Sequence, residues 1–386
     1  MRIGVFAGNA IPTGGGAYTL IESIKRDIRA ASRGHEILFF FADRDAAEAE
    51  TRDGFRCVNF AERRPWARTR ERWARRLRLE VRERRLDEAL KRERIDLLWI
   101  LGPFELEVSI PYVFTVWDLG HRSRPAFPEL DGGGWTWIQR ERTYQKMLYK
   151  ASCVITGNEA GKREILENYP MNPDKVRIVP FPVPDFCFAK APSKPIEGLA
   201  EPFVFYPAQF WAHKNHIALV EAMRRIRDAA GERISCYFVG SDQGNKAFIE
   251  AKIAEYGLGD RVRCLGFVEE AELRHLYERA LAMTFMSLLG PNNLPPLEAA
   301  ALGCPVIISD LPGHLEEMEG AALAVDATDY DKVAEAILAL ARDPGLRADY
   351  IAKGRRLAES YRGYSYFDEV CKIVDDLAGI LATWKR

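Results

Sequence analysis

The sequence predicts an α/β protein of two Rossmann-like domains, each a doubly wound parallel sheet, facing one another across a cleft. Three observations predict it. At 386 residues the chain exceeds what a single core ordinarily holds. Short apolar runs alternate with segments of helical period along its length, the pattern of a parallel sheet covered on both faces. The alternation lapses once, over residues 181–202 (FPVPDFCFAKAPSKPIEGLAEP), a Pro-rich stretch without period that reads as an interdomain linker. The expected division is residues 1–185, residues 200–363, and a terminal helix over 364–386 that packs back across the junction.

The first half opens with RIGVFAG, an apolar run ending in Gly, then the turn-rich NAIPTGGG and the helical pattern AYTLIESIKRDIRAAS. HEILFFFA, IDLLWIL, YVFTVWD, CVITG and KVRIVP follow as strands, with helices near 73–94, 136–151 and 159–169. In the second half the strands are Phe203–Phe210, Ile234–Val239, Val262–Leu265, Ala282–Met286, Val306–Ser309 and Ala322–Val325, each followed by a helical segment. No short-period repeat marks a solenoid.

Composition narrows the function. A hydrophobic fraction of 47% with 29% charged residues is that of a folded globular chain. The net charge of −1 gives no global attraction to nucleic acid or membrane, so any basic surface is local and a nucleic-acid partner is disfavoured. Seven scattered cysteines lack the paired spacing of a zinc or redox site and suit a reducing compartment. With no secretory apolar core and no run of membrane-spanning length, a cytoplasmic location is expected.

The segment most suited to ligand chemistry is GPNNLPPLEAAALGCP, from Gly290 to Pro305. A turn leads through a Pro pair into a helix carrying one acid, Glu298, and unpaired amides at such a helix start favour a phosphate. A helix stop-start with a surface Glu is the plainer alternative. Gly14, Gly15 and Gly16 follow strand one, where backbone can approach a phosphate, an acceptor or a sugar. Consecutive glycines after a spacer containing Pro12 fit a dinucleotide fingerprint badly, and a surface turn is the competing reading. In YPAQFWAHKNH, Lys214 precedes a helix beginning near Asn215, which suits a diphosphate, while His213 and His216 carry no assignment.

Other features weigh less. The Arg-rich segment 62–94 repeats Trp73, Leu77 and Val81 at helical spacing. It reads as an ion-paired surface helix or as a contact for anionic lipid or a polyprenyl-diphosphate acceptor. Asp43-Arg44-Asp45 has the Asp-x-Asp spacing of a metal site but sits where acids begin a helix. GGGWTW, around Gly132–Trp137, reads as an acceptor loop or as packed tryptophans, and Cys304 as a small buried residue.

Together, the Gly-rich loop after strand one, Lys-Asn before the first helix of the second half, VGSDQG, VRCLGFV and LPPLEAAALGCPVI resemble the family 4 glycosyltransferases of the GT-B fold. The resemblance spans nearly the whole chain and is nearest to members that assemble bacterial surface polysaccharides and lipid-linked oligosaccharides. It implies that the second half binds a nucleotide-sugar and the first half a glycan or lipid-linked acceptor. Glu298 matches the second acid of the family's Glu, seven residues, Glu pattern, which accepts hydrogen bonds from ribose. Lys214 matches the diphosphate-binding Lys. Asn292, Asn293 and Leu294 lie where loop amides meet sugar and phosphates, Phe267 and Val268 where the base is flanked, and Gly240 and Asp242 in the VGSDQG turn, with Asp242 a ribose or base candidate or an ordinary turn residue.

Three departures stand out: Gly290 in place of the first acid, Gln209 in place of the basic residue before the Lys, and Trp117 in place of a His, with Asp118 and His121 beside it. Asp118 or His121 is the candidate to orient or deprotonate an acceptor hydroxyl, or is a buried structural group. The resemblance implies a retaining transfer, without metal or other cofactor, of a hexose or deoxyhexose, mannose or rhamnose for preference, in surface-polysaccharide assembly at the inner face of the membrane. The alternatives are a non-catalytic GT-B scaffold that binds a sugar nucleotide, and a GT-B nucleotide-sugar epimerase.

Overall fold

A computed structural model of the chain describes residues 1–8, 15–30, 34–60, 83–130 and 136–383. The first sheet holds β1 (Arg2–Phe6), β2 (Glu36–Phe41), β3 (Cys57–Asn59), β4 (Leu97–Ile100), β5 (Tyr112–Thr115), β6 (Cys153–Thr156) and β7 (Val176–Ile178). Its spatial order is β3-β2-β1-β4-β5-β6-β7, with every pair parallel. The second sheet is formed by β8 (Phe203–Pro207), β9 (Ser235–Val239), β10 (Val262–Gly266), β11 (Ala282–Phe285), β12 (Val306–Ser309) and β13 (Leu323–Val325). Its order is β10-β9-β8-β11-β12-β13, again all parallel.

Both sheets reverse winding direction once, between β1 and β4 and between β8 and β11. Ligands of open α/β sheets lie outside the strand C-termini at such points. The segments leaving β1, β8 and β11 there carry Gly15, Lys214 and Asn293.

Strand side chains alternate between two buried faces, which is why the strands read as continuous apolar runs. In the first domain Leu97, Trp99, Val113 and Ile155 enter one cluster, and Leu98, Ile100, Phe114 and Val154 the other. The helix Tyr366–Leu381 closes the first of these clusters with Tyr366, Phe367, Val370 and Val374. Trp99 stacks on Tyr366 at 6.0 Å, and Asp27 caps the same helix by accepting from Phe367 N at 2.7 Å.

Some details differ from the sequence reading, and others match it. β3 was not anticipated, because three residues at a sheet edge show no period. Of the helix expected over 73–94, Glu83–Arg92 is present, and residues 61–82 lie outside the described residues, as do Gly14 and Gly132 to Gly134. The linker is not loose: Val183 and Cys187 are buried in the second domain's core, and Arg274 Nη2 donates to Ala189 O at 3.0 Å. Asp43 caps the helix Arg44–Arg52 through Ala46 N, with Asp45 in its first turn, so the Asp-x-Asp pair is spent on a helix start. All seven cysteines are free thiols, and burial raises the Cys304 thiol, which leaves it unreactive.

Candidate functional site

Lys214 ends a one-turn segment, Ala212–Lys214, that follows β8. Asn215 then takes a left-handed conformation (φ 53°) and hands the chain to the helix His216–Arg225. Tyr206 OH donates to Lys214 O at 2.8 Å and Asn215 Nδ2 to Ala327 O at 2.9 Å, so the turn is pinned from both sides. The Lys214 ammonium lies 4.8 Å above the Phe285 ring and donates to Asn293 Oδ1 at 3.2 Å. Burial pushes its pKa down to about 8, against the opposing pull of Asp118 and Glu129 from the first domain. This is a cation held ready but under-solvated, a state that gains from an arriving anion.

The flanking histidines do other work. His213 pairs with Glu129 through its ring and its backbone N–H. His216 is fully buried, stacks on Phe210 at 4.4 Å, and is kept neutral by burial, its pKa near 3.

Asn293 is the N-cap of the helix Leu294–Leu302 but makes no side-chain cap. The amide rim at this helix start is thinner than the sequence suggested. Pro295 and Pro296 contribute no N–H, and Asn293 N donates to Glu317 Oε2 at 3.2 Å. Glu317, on the helix Pro312–Met318, is an acid the sequence reading did not single out, and burial raises its pKa to about 8. Its signal was its place just past the C-terminal end of β12. Asn292 Oδ1 abuts Gly157 of the first domain, where an added Cβ would lie 2.2 Å away, and Asn292 Nδ2 is buried without a partner. Leu294 inserts into the first domain's core cluster beside Val179 and Phe181, so it bridges the domains by packing. Gly290, at φ +105°, holds a backbone that a carboxylate-bearing residue would strain.

Gly15 and Gly16 approach this region from the first domain. Gly15 adopts φ +64°, and an added Cβ would sit 3.0 Å from Gln209 Cδ, while Gly16 begins the helix Gly16–Ala30 with open space around it. Gln209 donates to Ser241 Oγ at 3.0 Å and accepts from Trp211 Nε1 at 3.1 Å. Gly240, at φ +152°, lies so close to Ala208 O (2.3 Å from an added Cβ) that only glycine fits. Asp242 is exposed and accepts from Gly244 N at 2.8 Å, the work of a turn residue.

Glu298 lies farther into its helix than the rim. It is 6% exposed, Tyr277 OH donates to its Oε2 at 2.8 Å, and burial raises its pKa to about 7. Phe267 is 70% exposed, whereas Val268 packs on the core of the second domain. An apolar ring left in solvent beside a Gly turn is a surface for stacking a planar group.

On the first-domain side, Asp118 is partly exposed and accepts from Gly120 N at 2.8 Å, with Arg140 at 3.5 Å. Gly120 in turn packs against Leu289 of the second domain. His121 takes the second of its two expected readings, a buried structural group, and not the acceptor-facing one. It has no exposed surface, its Nε2 faces Glu141 (3.3 Å) and Tyr169 (3.2 Å), and it stacks on Tyr144 at 5.2 Å. A ring so enclosed does not touch an acceptor, and of the two candidates Asp118 alone has solvent-accessible surface. Two further contacts close the domains on each other: Asn158 Nδ2 donates to Pro291 O at 2.6 Å, and Glu316 accepts from Glu159 N (2.6 Å) and Ala160 N (2.9 Å) at a helix start of the first domain.

Comparisons with known proteins bear on the family and the fold. The model for Glycosyltransferase Family 4 matches residues 14–185, and that for Glycosyl transferases group 1 matches residues 190–357. The O-antigen chain mannosyltransferase RfbU of Salmonella typhimurium is 25% identical over 194 residues, 49% of this chain, so the match spans about half (52%) of that relative's length. HepE of Anabaena, solved with UDP-glucose, superposes with a TM-score of 0.74 at 14% identity over 98% of this chain and all of its own. WaaG, a glycosyltransferase involved in lipopolysaccharide biosynthesis, gives 0.68 at 15% identity over 96% and 99% of the two chains. With two parallel sheets that superpose on these structures over nearly the whole chain, and with family models filling both halves, the chain belongs to the family 4 glycosyltransferases and has their GT-B fold.

Proposed function

We propose that the protein is a hexosyltransferase that moves mannose or a similar hexose or deoxyhexose from a nucleotide-sugar to a glycan or lipid-linked acceptor in surface-polysaccharide assembly. One observation carries the reading: a desolvated ammonium, Lys214, stands at the switch point of the second sheet, on Asn293 and opposite Asp118 of the first domain. When a nucleoside diphosphate departs, negative charge grows on its β-phosphate, and a cation already partly stripped of water stabilises that charge with little reorganisation. Mannose is favoured by the name of the Salmonella relative, and a nucleotide donor by the UDP-glucose bound to HepE.

In this reading Gly15, Gly16, Gln209, Gly240, Lys214, Asn292, Asn293 and Leu294 surround the diphosphate and sugar. Glu298, with Tyr277 behind it, receives the ribose hydroxyls, and Phe267 with Val268 flanks the base. Asp118 orients the acceptor hydroxyl for front-face attack with retention. In this reading Lys214 meets the phosphates in place of a metal. The Arg-rich segment 62–94 is proposed to meet anionic lipid. No described helix is long and apolar enough to cross a membrane.

A second reading, a scaffold that binds a sugar nucleotide without turnover, is favoured by Gly290 and by Glu317, which occupies the Asn293 amide. Calorimetric titration with UDP-, GDP-, dTDP- and ADP-sugars, with and without EDTA, followed by a nucleotide-release assay, separates the two. EDTA-insensitive binding with slow hydrolysis supports the transferase; binding without turnover supports the scaffold; no binding removes the donor site.

A further inference from the structure

We propose that His314 is a positioning residue that, through Asn293, fixes the Lys214 ammonium in the cleft. This rests on the nucleotide-sugar reading and deepens it by naming what holds one of its groups.

Chemistry alone sets the direction of every bond in the chain. Lys214 Nζ can only donate, so the Asn293 side chain must turn its carbonyl Oδ1 toward it, at 3.2 Å. That places the amide Nδ2 2.7 Å from His314 Nε2. An amide nitrogen only donates, so Nε2 is the bare nitrogen and Nδ1 carries the proton. Nδ1 stands 2.9 Å from Ser309 Oγ and 3.2 Å from Ser309 O. Ser309 Oγ–H donates to Ser287 O at 2.7 Å, which leaves Oγ free to receive the Nδ1 hydrogen. Four donors therefore run one way, from Lys214 to a backbone carbonyl just past β11. Flipping the Asn293 amide would set its NH2 against the ammonium, and moving the ring proton would set N–H against N–H.

The surroundings keep the ring in that state. His314 has no exposed surface and lies edge-on to Phe285 at 5.6 Å, and burial, then the Lys214 charge, depresses its pKa to about 4. Gly313 lets the His314 helix come this near, since an added Cβ there would lie 2.3 Å from Pro291 O. The remaining Asn293 amide hydrogen meets Gly290 O at 3.3 Å, so the side chain is held at each of its polar atoms.

The test is a double-mutant cycle on the full chain, read by calorimetric titration with UDP and GDP, with thermal melts as the folding control. Lys214→Met should weaken the nucleotide that binds. His314→Leu should weaken it about 5- to 20-fold, and His314→Gln, whose Oε1 still accepts from Asn293 Nδ2, should recover most of that loss. In the Lys214→Met background His314→Leu should add less than about twofold, because the two act through one contact. If His314→Leu does not fold, Ser309→Ala, which removes the nearer of the two acceptors facing Nδ1–H and the last donor of the chain, reads the same chain and should cost about 2- to 5-fold.

Wild-type affinity in the His314 and Ser309 variants, with Lys214→Met impaired, overturns the proposal and leaves the donor site standing. Fully additive losses overturn it too, since His314 would then act by another route. No effect of Lys214→Met, or no binding of either nucleotide to the wild type, removes the donor reading and this inference with it.

Discussion

Replacing Lys214 by Met should stabilise the fold and weaken the ligand, two effects of opposite sign from one side chain. The ammonium is partly buried over Phe285 and its pKa has fallen from 10.5 to about 8. Each unit of such a shift is about 1.4 kcal/mol, so after allowance for residual solvent contact the charge costs the empty protein about 1–3 kcal/mol. Methionine fills a similar volume without that cost. The sign with pH follows from linkage. Between pH 8 and 10.5 the unfolded chain binds more protons at this site than the folded one, so the penalty is full below pH 8, fades as the pH rises from 8 to 10.5 and is nearly gone at 10.5. Denaturant melts of both proteins at pH 7 and pH 10.5 read the difference directly. The stabilisation should be present at pH 7 and nearly absent at pH 10.5. The same variant should lose one charge-assisted hydrogen bond to a diphosphate, about 1.5–3 kcal/mol, or roughly 10- to 150-fold in affinity for the UDP or GDP that binds. A Lys214→Met protein less stable than wild type at pH 7, or one that binds nucleotide normally, refutes the assignment of Lys214 as a desolvated phosphate-binding cation.

Three more outcomes follow from the geometry. Burial raises the folded-state pKa of Glu298 to about 7 and of Glu317 to about 8, so the stability they confer at low pH is lost as pH rises through those values. Melting temperature should fall between pH 6 and 8.5, and the double variant Glu298→Gln, Glu317→Gln should flatten that slope; a wild type that gains stability over this range contradicts the burial of both acids. Gly240→Ala forces a side chain onto φ +152° and against Ala208 O, at about 2–4 kcal/mol, and should lower the melting temperature by about 5–15 °C, whereas an unchanged melt would mean the loop relaxes freely. Glu316→Ala removes the carboxylate that caps a helix of the opposite domain, about 1–2 kcal/mol in favour of the closed arrangement; small-angle scattering should show a larger radius of gyration at unchanged helix content, and an identical profile would show that this contact does not hold the domains.

The fold was legible because both faces of each sheet are buried, which writes strands such as LLWI and VIIS as unbroken apolar runs that helical periods separate. β3 was not, since three edge residues carry no period. In the site, Lys214 and the Asn293 loop were legible as residue types suited to phosphate at the ends of strands. His121 stayed open between an acceptor-facing and a buried role because its place in the chain, three residues past Asp118, says nothing about burial; in space it turns inward to Glu141 and Tyr169. Glu317, His314 and Tyr277 were passed over for the converse reason. Each acts by meeting a residue at least twenty positions away, and such a pairing becomes visible only when β11, β12 and their helices are laid side by side.

The helix Tyr366–Leu381 has a consequence for how the molecule is made. Its Tyr366, Phe367, Val370 and Val374 complete a core whose other members, Ile3, Val5 and Trp99, leave the ribosome hundreds of residues earlier. The amino-terminal domain therefore waits, one apolar face uncovered, while the other domain, contiguous from about Val183 to Ala358, can form its own core on emergence. Order of synthesis and order of completion are reversed in this chain, and a nascent protein stalled before residue 366 is the form most in need of a chaperone.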